Sequence, residues 1–342
     1  MKAAVFHEAG KPLTIEQVSD PKPGPADLIL KVQDCGICGS DLHASKPGSL
    51  LGIPDGTIMG HEFSGEVAEV GKDVAGLWKP GDRACALPVM ACGKCLMCLK
   101  GLGWFCEHGA TIVGMGQNNG AYAEYVRVSA FETLKLPQSV SFREGALVEP
   151  LAVGLHAVKK ANMKPGSDVL ILGAGPIGLA VTLWARFLGA RNVVVSERAP
   201  DRIKMAEKFG ATAVVNADGD VKQEVKKACG GRRPTIIFEC VGVPGMIQQC
   251  VGLSGTFGKV VIVGLCDQPD TFVPVGALGK ELDVQFVIGY ERNDFEFVID
   301  LIATDRIDGE ALITDIVSFD TFSDAFEALR APSHQCKVML EL

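Results

Sequence analysis

Two textures of hydrophobic patterning divide the chain. Beyond residue 165, six short apolar, β-rich runs recur at even spacing, at 168–172, 192–196, 213–215, 235–239, 259–263 and 284–288. Near-continuous apolar runs of this length suit strands covered on both faces, as in a parallel sheet between helices. Segments 176–188 and 200–209 read as helices, each opening on a proline, which the first helical turn accepts. Six such strands with intervening helices predict a complete doubly wound α/β domain. The first 150 residues differ. They are rich in Gly and Pro, with short β-like runs such as 28–32 and 65–70, and predict a loop-rich β domain. A helix is expected over 144–163, another over 293–303, and short strands to the end of the chain at 337–342.

Composition narrows the picture. The chain has 342 residues, enough for two ordinary domains, with 47% apolar and 22% charged residues. No apolar run reaches the length of a membrane span, and residues 1–6 read as a first strand rather than a signal peptide. A net charge of −8 without a basic stripe argues against a nucleic-acid surface. Twelve cysteines without an export signal suggest a reducing, cytoplasmic setting. Of these, Cys85, Cys229, Cys240, Cys250, Cys266 and Cys336 read as small buried apolar residues.

Four other cysteines are spaced C-x2-C-x2-C-x7-C, at Cys92, Cys95, Cys98 and Cys106. Short x2 steps let a turn aim thiolates at one point, with Gly93 and Gly101 easing the turns. Four thiolates make a closed site, so a zinc held there would be structural; two disulfides or an iron–sulfur cluster are the alternatives.

After the first run of the second texture comes Gly173-Ala174-Gly175-Pro176-Ile177-Gly178, a G-x-G-x-x-G between strand and helix. In that context it predicts a dinucleotide site, with Gly173, Gly175, Pro176, Ile177 and Gly178 around the pyrophosphate at the helix N-terminus. Glu197, 24 residues past Gly173, stands where an acid meets the adenosine ribose, favouring NAD over NADP; Arg198 and Arg202 are basic neighbours that soften the preference. Later strands end at Val241-Gly242 and Gly264-Leu265, where backbone passes close to a cofactor, or where glycine merely makes a turn.

Three more segments carry metal-type residues: Cys35 to His43, Gly60-His61-Glu62, and Val148-Glu149-Pro150. A catalytic zinc takes three protein ligands and leaves a position open. A lone Glu is ordinarily solvated and a lone His ordinarily sits in a turn; the company of a dinucleotide domain is what raises the metal reading.

These segments, with Lys-Pro-Gly-Asp-Arg-Ala (79–84), Gly-Ala-Tyr-Ala-Glu-Tyr (120–125) and Glu-Pro-Leu-Ala-Val-Gly-Leu-His-Ala (149–157), occur in the order found in zinc-dependent medium-chain dehydrogenases/reductases. The chain resembles that family over nearly its whole length, closest to the polyol, butanediol and threonine dehydrogenase branch. The resemblance implies a GroES-like catalytic domain over 1–153 and 290–342 and a Rossmann domain over 154–289, with the active site in the cleft between them. It implies Cys38, His61 and Glu149 as ligands of a catalytic zinc, with Glu62 able to approach the metal. Ser40 and His43 match the groups that pass a proton to solvent, and Val153 a residue packed against the nicotinamide. The reaction implied is reversible oxidation of a secondary alcohol or vicinal diol to a ketone with hydride transfer to NAD, in a homodimer or homotetramer with two zincs per chain.

Primary-alcohol or aldehyde, sugar-polyol and threonine dehydrogenases of the same family are the competing enzymes. A non-enzymatic zinc-ribbon binding protein is the remote one. The stretch from His43 to Met59 holds Ala44, Leu50, Leu51, Ile53 and Pro54 and few polar groups, which suits a small alcohol better than a heavily hydroxylated one. Trp104 and Phe105, bulky beside the cysteine loop, read as packing residues.

Overall fold

Ser141 and Glu144 cap each other: Ser141 N donates to Glu144 Oε2 at 2.7 Å, and Glu144 N donates to Ser141 Oγ at 3.0 Å. This reciprocal pair starts the helix Phe142–Lys160 two residues before the expected position, and Asn162, in the left-handed region at φ 51°, ends it early. In the computed structural model, which describes residues 1–331 and 334–342, that helix carries the junction of two compact units. One is Met1–Glu149 with Tyr290–Leu342, the other Pro150–Gly289. Pro150 sits inside the helix, where it contributes no N–H to the ladder.

The second unit is built on six parallel strands. In spatial order they are Ala213–Asn216, Asn192–Glu197, Asp168–Leu172, Ile236–Glu239, Lys259–Ile262 and Asp283–Phe286. The expected runs are all present. The last ends at Phe286, because it is an edge strand and its apolar neighbour Ile288 stands exposed. Val169, Leu170, Ile171 and Val193 to Val195 are fully buried, as strands covered on both faces require. Strand order reverses beside Asp168–Leu172, which is flanked by Asn192–Glu197 and Ile236–Glu239. That reversal is the switch point where open α/β sheets bind ligands. Gly154 seats the long helix against Ala180; a Cβ there would lie 2.6 Å from the Ala180 methyl.

In the first unit, Asp27–Gly36 pairs with Glu62–Val70, Tyr125–Ser129 and the C-terminal strand Lys337–Glu341, all antiparallel. The register sets Gly36 opposite both Glu62 and Met339. Residues adjoining the ends of three sequence-distant strands are thereby gathered at one end of the sheet. The core below is apolar, with Phe63, Tyr122, Phe322 and Phe326 among its largest buried side chains. Among the described residues no helix is long and apolar enough to cross a membrane.

Candidate active site

The pairing of Gly36 with Glu62 brings Cys38, two residues past one strand, next to His61, just before the other. Donor atoms of Cys38, His61 and Glu62 all lie within 4.8 Å of one another. Gly36 makes room for the carboxylate, since a Cβ there would fall 2.2 Å from Glu62 Oε2. Ser40 lies in the first turn of the short helix Gly39–Ala44 beside them, its Oγ 3.2 Å from Cys38 Sγ and 3.3 Å from His61 Nε2. His43 lies one turn further on, half-buried, with Lys46 Nζ 3.3 Å from its Nδ1.

Behind the metal-type residues stands Asp41, fully buried. Its Oδ2 accepts from Tyr122 Oη at 2.6 Å and from the Cys38 amide at 3.2 Å. Its Oδ1 lies 3.3 Å from His61 Nδ1, although the two are not aligned as a hydrogen bond. Burial opposes charging His61, but the Asp41 carboxylate and the Cys38 sulfur outweigh it and raise the imidazole pKa well above its usual value. A carboxylate behind one ring nitrogen leaves the other, Nε2, facing Cys38 and Ser40, the usual arrangement of a metal-binding histidine.

Glu149 is not one of the three converging donors. Its Oε1 accepts from Tyr290 Oη at 2.8 Å, with both side chains buried. Burial, with the nearby Glu62 charge, pushes its pKa up to about 7. Glu62 is paired through both oxygens with Lys337 Nζ, at 2.7 and 2.5 Å. A thiol and three carboxylates, Asp41 included, face one ammonium and one imidazole, a buried excess of negative donors that suits a divalent cation.

The four-cysteine loop meets a sterner geometric test. Cys95 Sγ is 3.4 Å from Cys98 Sγ and 3.9 Å from Cys106 Sγ, and Cys92 Sγ is 3.8 Å from Cys98 Sγ. Four sulfurs at tetrahedral corners around zinc would be spaced by about 3.8 Å. All twelve cysteines are free, and these separations are far beyond a disulfide bond of about 2.05 Å. Backbone amides, that of Cys98 foremost, hold the Cys95 thiol down at about 6, while burial lifts Cys98 to about 12.

In the other unit, the glycine loop lies at the strand-order reversal. Gly173 has φ 91°, Gly175 caps the helix Pro176–Phe187 with Pro176 in its first turn and Ile177 following, and Gly178 packs so closely that a Cβ would fall 2.0 Å from the Gly173 carbonyl oxygen. Val241 and Leu265 come to the same place: a Cβ on Gly173 would lie 3.0 Å from Val241, and one on Gly242 would lie 2.6 Å from the Leu265 carbonyl. Gly264 adjoins Gly242, at 2.4 Å from a Cβ to the amide nitrogen. Glu197 accepts from the amides of Ala174, Arg198 and Ala199 at 2.9, 2.7 and 3.0 Å, tying the end of its strand to the glycine loop. Arg198 is exposed, and Arg202 and Val153 are half-buried.

Sequence reasoning passed over Lys337, Tyr290, Asp41 and Glu239. Glu239 caps the Val241 and Gly242 amides at 2.7 and 2.9 Å. Lys337 carried one signal, a lone cation entering the apolar run Val338-Met339-Leu340; Tyr290 carried none.

A dinucleotide loop in one chain with two such donor clusters is the equipment of a metal-dependent dehydrogenase. Comparison with known proteins agrees. Residues 24–138 match the family model for the alcohol dehydrogenase GroES-like domain, and residues 176–304 the model for zinc-binding dehydrogenase. The chain is 34% identical to (R,R)-butanediol dehydrogenase of Bacillus subtilis, over 99% of each chain. It is 32% identical to sorbitol dehydrogenase of the same organism, over 99% of this chain and 97% of the relative. The crystal structure of 2R,3R-butanediol dehydrogenase from Bacillus subtilis superposes with a TM-score of 0.89, at 32% identity, covering 100% of this chain and 99% of the other. The chain belongs to the zinc-dependent medium-chain dehydrogenases/reductases, in their polyol and butanediol branch. It is an oxidoreductase that works with zinc and a nicotinamide cofactor.

Proposed function

We propose that the enzyme oxidises small secondary alcohols or short vicinal diols to ketones, reversibly, with NAD as hydride acceptor and two zincs per chain. The convergence of Cys38, His61 and Glu62, with Ser40 within reach of both the thiol and the imidazole, carries this reading. Cys38 and His61 hold the open site with Glu149 as third ligand, a carboxylate buried near Glu62 that lies outside the converging donors in this structure and would turn in to join them, and Cys92, Cys95, Cys98 and Cys106 hold the closed one. Zinc in the open site supplies the positive charge that lowers the pKa of a bound hydroxyl. Ser40 takes the hydroxyl proton, and His43, one helical turn on, hands it towards solvent. Asp41 keeps His61 oriented, and Lys337 holds Glu62 in reserve beside the donors. The glycine loop and Glu197 position NAD, with Val153, Val241 and Leu265 as apolar contacts.

Secondary centres fit the branch signature Glu149-Pro150-Leu151. A small or partly apolar remainder fits the exposed Leu50 and Leu51. Each methylene in an apolar pocket changes binding by roughly 1–3 kcal/mol, so secondary alcohols and short diols should exceed ethanol and sorbitol in kcat/KM by about tenfold. A steady-state panel of diols, secondary alcohols, polyols, threonine and ethanol, read by NADH absorbance, tests this. Sorbitol as best substrate would refute the small-alcohol reading, and ethanol the secondary-alcohol reading. A homo-oligomer is the proposed working form, supported by exposed Val275, Leu278, Phe286 and Ile288 in the second unit; sedimentation velocity tests it.

A further inference from the structure

We propose that Tyr290 is a positioning residue for Glu149, and that Trp104, on the four-cysteine loop, holds Tyr290 in place. The closed metal site then sets the geometry of the open one. This rests on the reading of Glu149 as a ligand of the open site.

Three observations carry it. First, Tyr290 Oη donates to Glu149 Oε1 at 2.8 Å in a buried setting, which fixes the rotation of the carboxylate beside, though not within, the converging Cys38, His61 and Glu62 donors and leaves Oε2 free of that bond to turn towards a metal. A buried carboxylate on a helix side chain has several rotamers, and one hydrogen bond to a rigid phenol selects among them. Second, the phenol ring packs against two others. Trp104 meets it edge-on at 5.8 Å between centroids and 78° between planes, and Phe295 lies at 4.8 Å and 59°. Third, Trp104 belongs to the span between Cys98 and Cys106. There the short turn Gly103–Phe105 is closed by Phe105 N donating to Leu102 O at 2.9 Å and Cys106 N donating to Gly103 O at 3.1 Å. The indole is therefore placed by the same loop that folds the four thiols together. Arg292, two residues past Tyr290, adds a backbone tie to that loop, its amide donating to the Gly101 carbonyl at 3.0 Å.

The link runs from loop to ring to hydroxyl to carboxylate, through contacts among three side chains, Trp104, Tyr290 and Glu149. Nothing in it requires Trp104 or Tyr290 to touch substrate.

The test uses the full-length enzyme with cobalt in the open site, whose visible absorption reports ligand geometry, together with competition chelation for metal affinity. Tyr290→Phe keeps the ring and removes only the hydroxyl. It should weaken open-site metal binding by about 10–100-fold and shift the cobalt spectrum, while the four-thiolate metal stays bound. Trp104→Ala should do the same in part, Trp104→Phe should restore most of the loss, and Trp104→Ala should add nothing to open-site affinity in the Tyr290→Phe background. Circular dichroism and retained four-thiolate metal verify folding. An unchanged cobalt spectrum and affinity in Tyr290→Phe would overturn the positioning role, and additive effects of the two substitutions would overturn the role of Trp104. A wild-type chain that takes up metal only at the four thiols would instead remove the open-site reading itself, and this inference with it.

Discussion

Lys337 and Glu62 are 275 residues apart and meet with almost no exposed surface, Nζ at 2.7 and 2.5 Å from the two carboxylate oxygens. The ammonium also donates to the Ile37 carbonyl at 3.0 Å. Burial works against the charge on Lys337, but Glu62 overcomes it and raises the lysine pKa. A buried pair of this kind is costly to break because removing one partner strands the other. Lys337→Met should lower the stability of its unit by about 3–5 kcal/mol, whereas Lys337→Met with Glu62→Gln should recover much of it. Urea unfolding of the two variants decides the matter: equal loss in both would mean that packing, not pairing, is what Lys337 supplies.

Glu132 presents the opposite case. It is fully buried, and neither carboxylate oxygen has a hydrogen-bond partner. It lies against Gly103, where a Cβ would fall 2.3 Å from Oε1. Arg292 directs its guanidinium to the carbonyls of Phe131 and Thr133, on either side of it. Burial pushes the Glu132 carboxyl up to about 7, and the Arg292 charge offsets this only in part. The folded pKa is raised above the unfolded value, so its stabilising contribution is complete below the ordinary glutamate range and is lost as pH rises towards 7. A shift of that size corresponds to on the order of 3 kcal/mol over the window. Glu132→Gln should flatten the fall in melting temperature between pH 5 and pH 7.5 and raise stability at the upper end. A variant that melts with the wild-type pH profile would show that another group sets the slope.

The two metal sites should differ in lability. A metal held by four thiolates would have no coordination position open, while one held by Cys38, His61 and Glu149 would keep one. Mild chelation should remove one zinc of two and nearly all activity while circular dichroism is preserved. Cys92→Ser should cost the closed-site zinc and lower the melting temperature, since a structural metal contributes directly to folding. Elemental analysis beside activity reads both. Full activity after loss of the second zinc would rule out a metal-assisted reaction.

How much of this was legible in the sequence follows from how local each signal is. The cysteine loop and the glycine loop are each written within fifteen residues, and their side chains and backbone meet where the spacing predicts. The four inner strands were legible because burial on both faces demands unbroken apolar runs, and the two half-exposed edge strands because they fall at the same spacing. The surroundings of the open site were not. Lys337 reaches Glu62 only through the pairing of Leu340 with Cys35 and of Met339 with Gly36, and nothing near Lys337 in sequence encodes that register. Tyr290 and Trp104 meet through ring packing and one backbone bond between sequence-distant segments, Arg292 N to Gly101 O, which no local pattern encodes. Glu132 looks in sequence like any solvated glutamate, and only the fold, which packs Gly103 against the turn Ala130–Glu132, buries it.

Cofactor choice gives the last prediction. A carboxylate offers about four acceptor positions, and the amides of Ala174, Arg198 and Ala199 fill three at Glu197. The remaining one suits a ribose hydroxyl, and the negative charge opposes a 2′-phosphate there. The wild-type enzyme should therefore favour NAD. Glu197→Ser removes the charge while leaving Arg198 exposed nearby, and should raise the NADP-to-NAD ratio of kcat/KM by roughly tenfold or more, the equivalent of about 1.4 kcal/mol. It should also slow turnover with NAD, because three amides at the edge of the glycine loop lose their acceptor. Glu197→Asp separates the two effects. It keeps the charge, so the preference for NAD should persist, while the shorter side chain cannot reach all three amides and NAD should bind more weakly. Paired kcat/KM measurements with both cofactors test the argument. A wild-type preference for NADP, or a ratio unmoved in Glu197→Ser, would mean that Arg198 and Arg202 rather than Glu197 govern the choice.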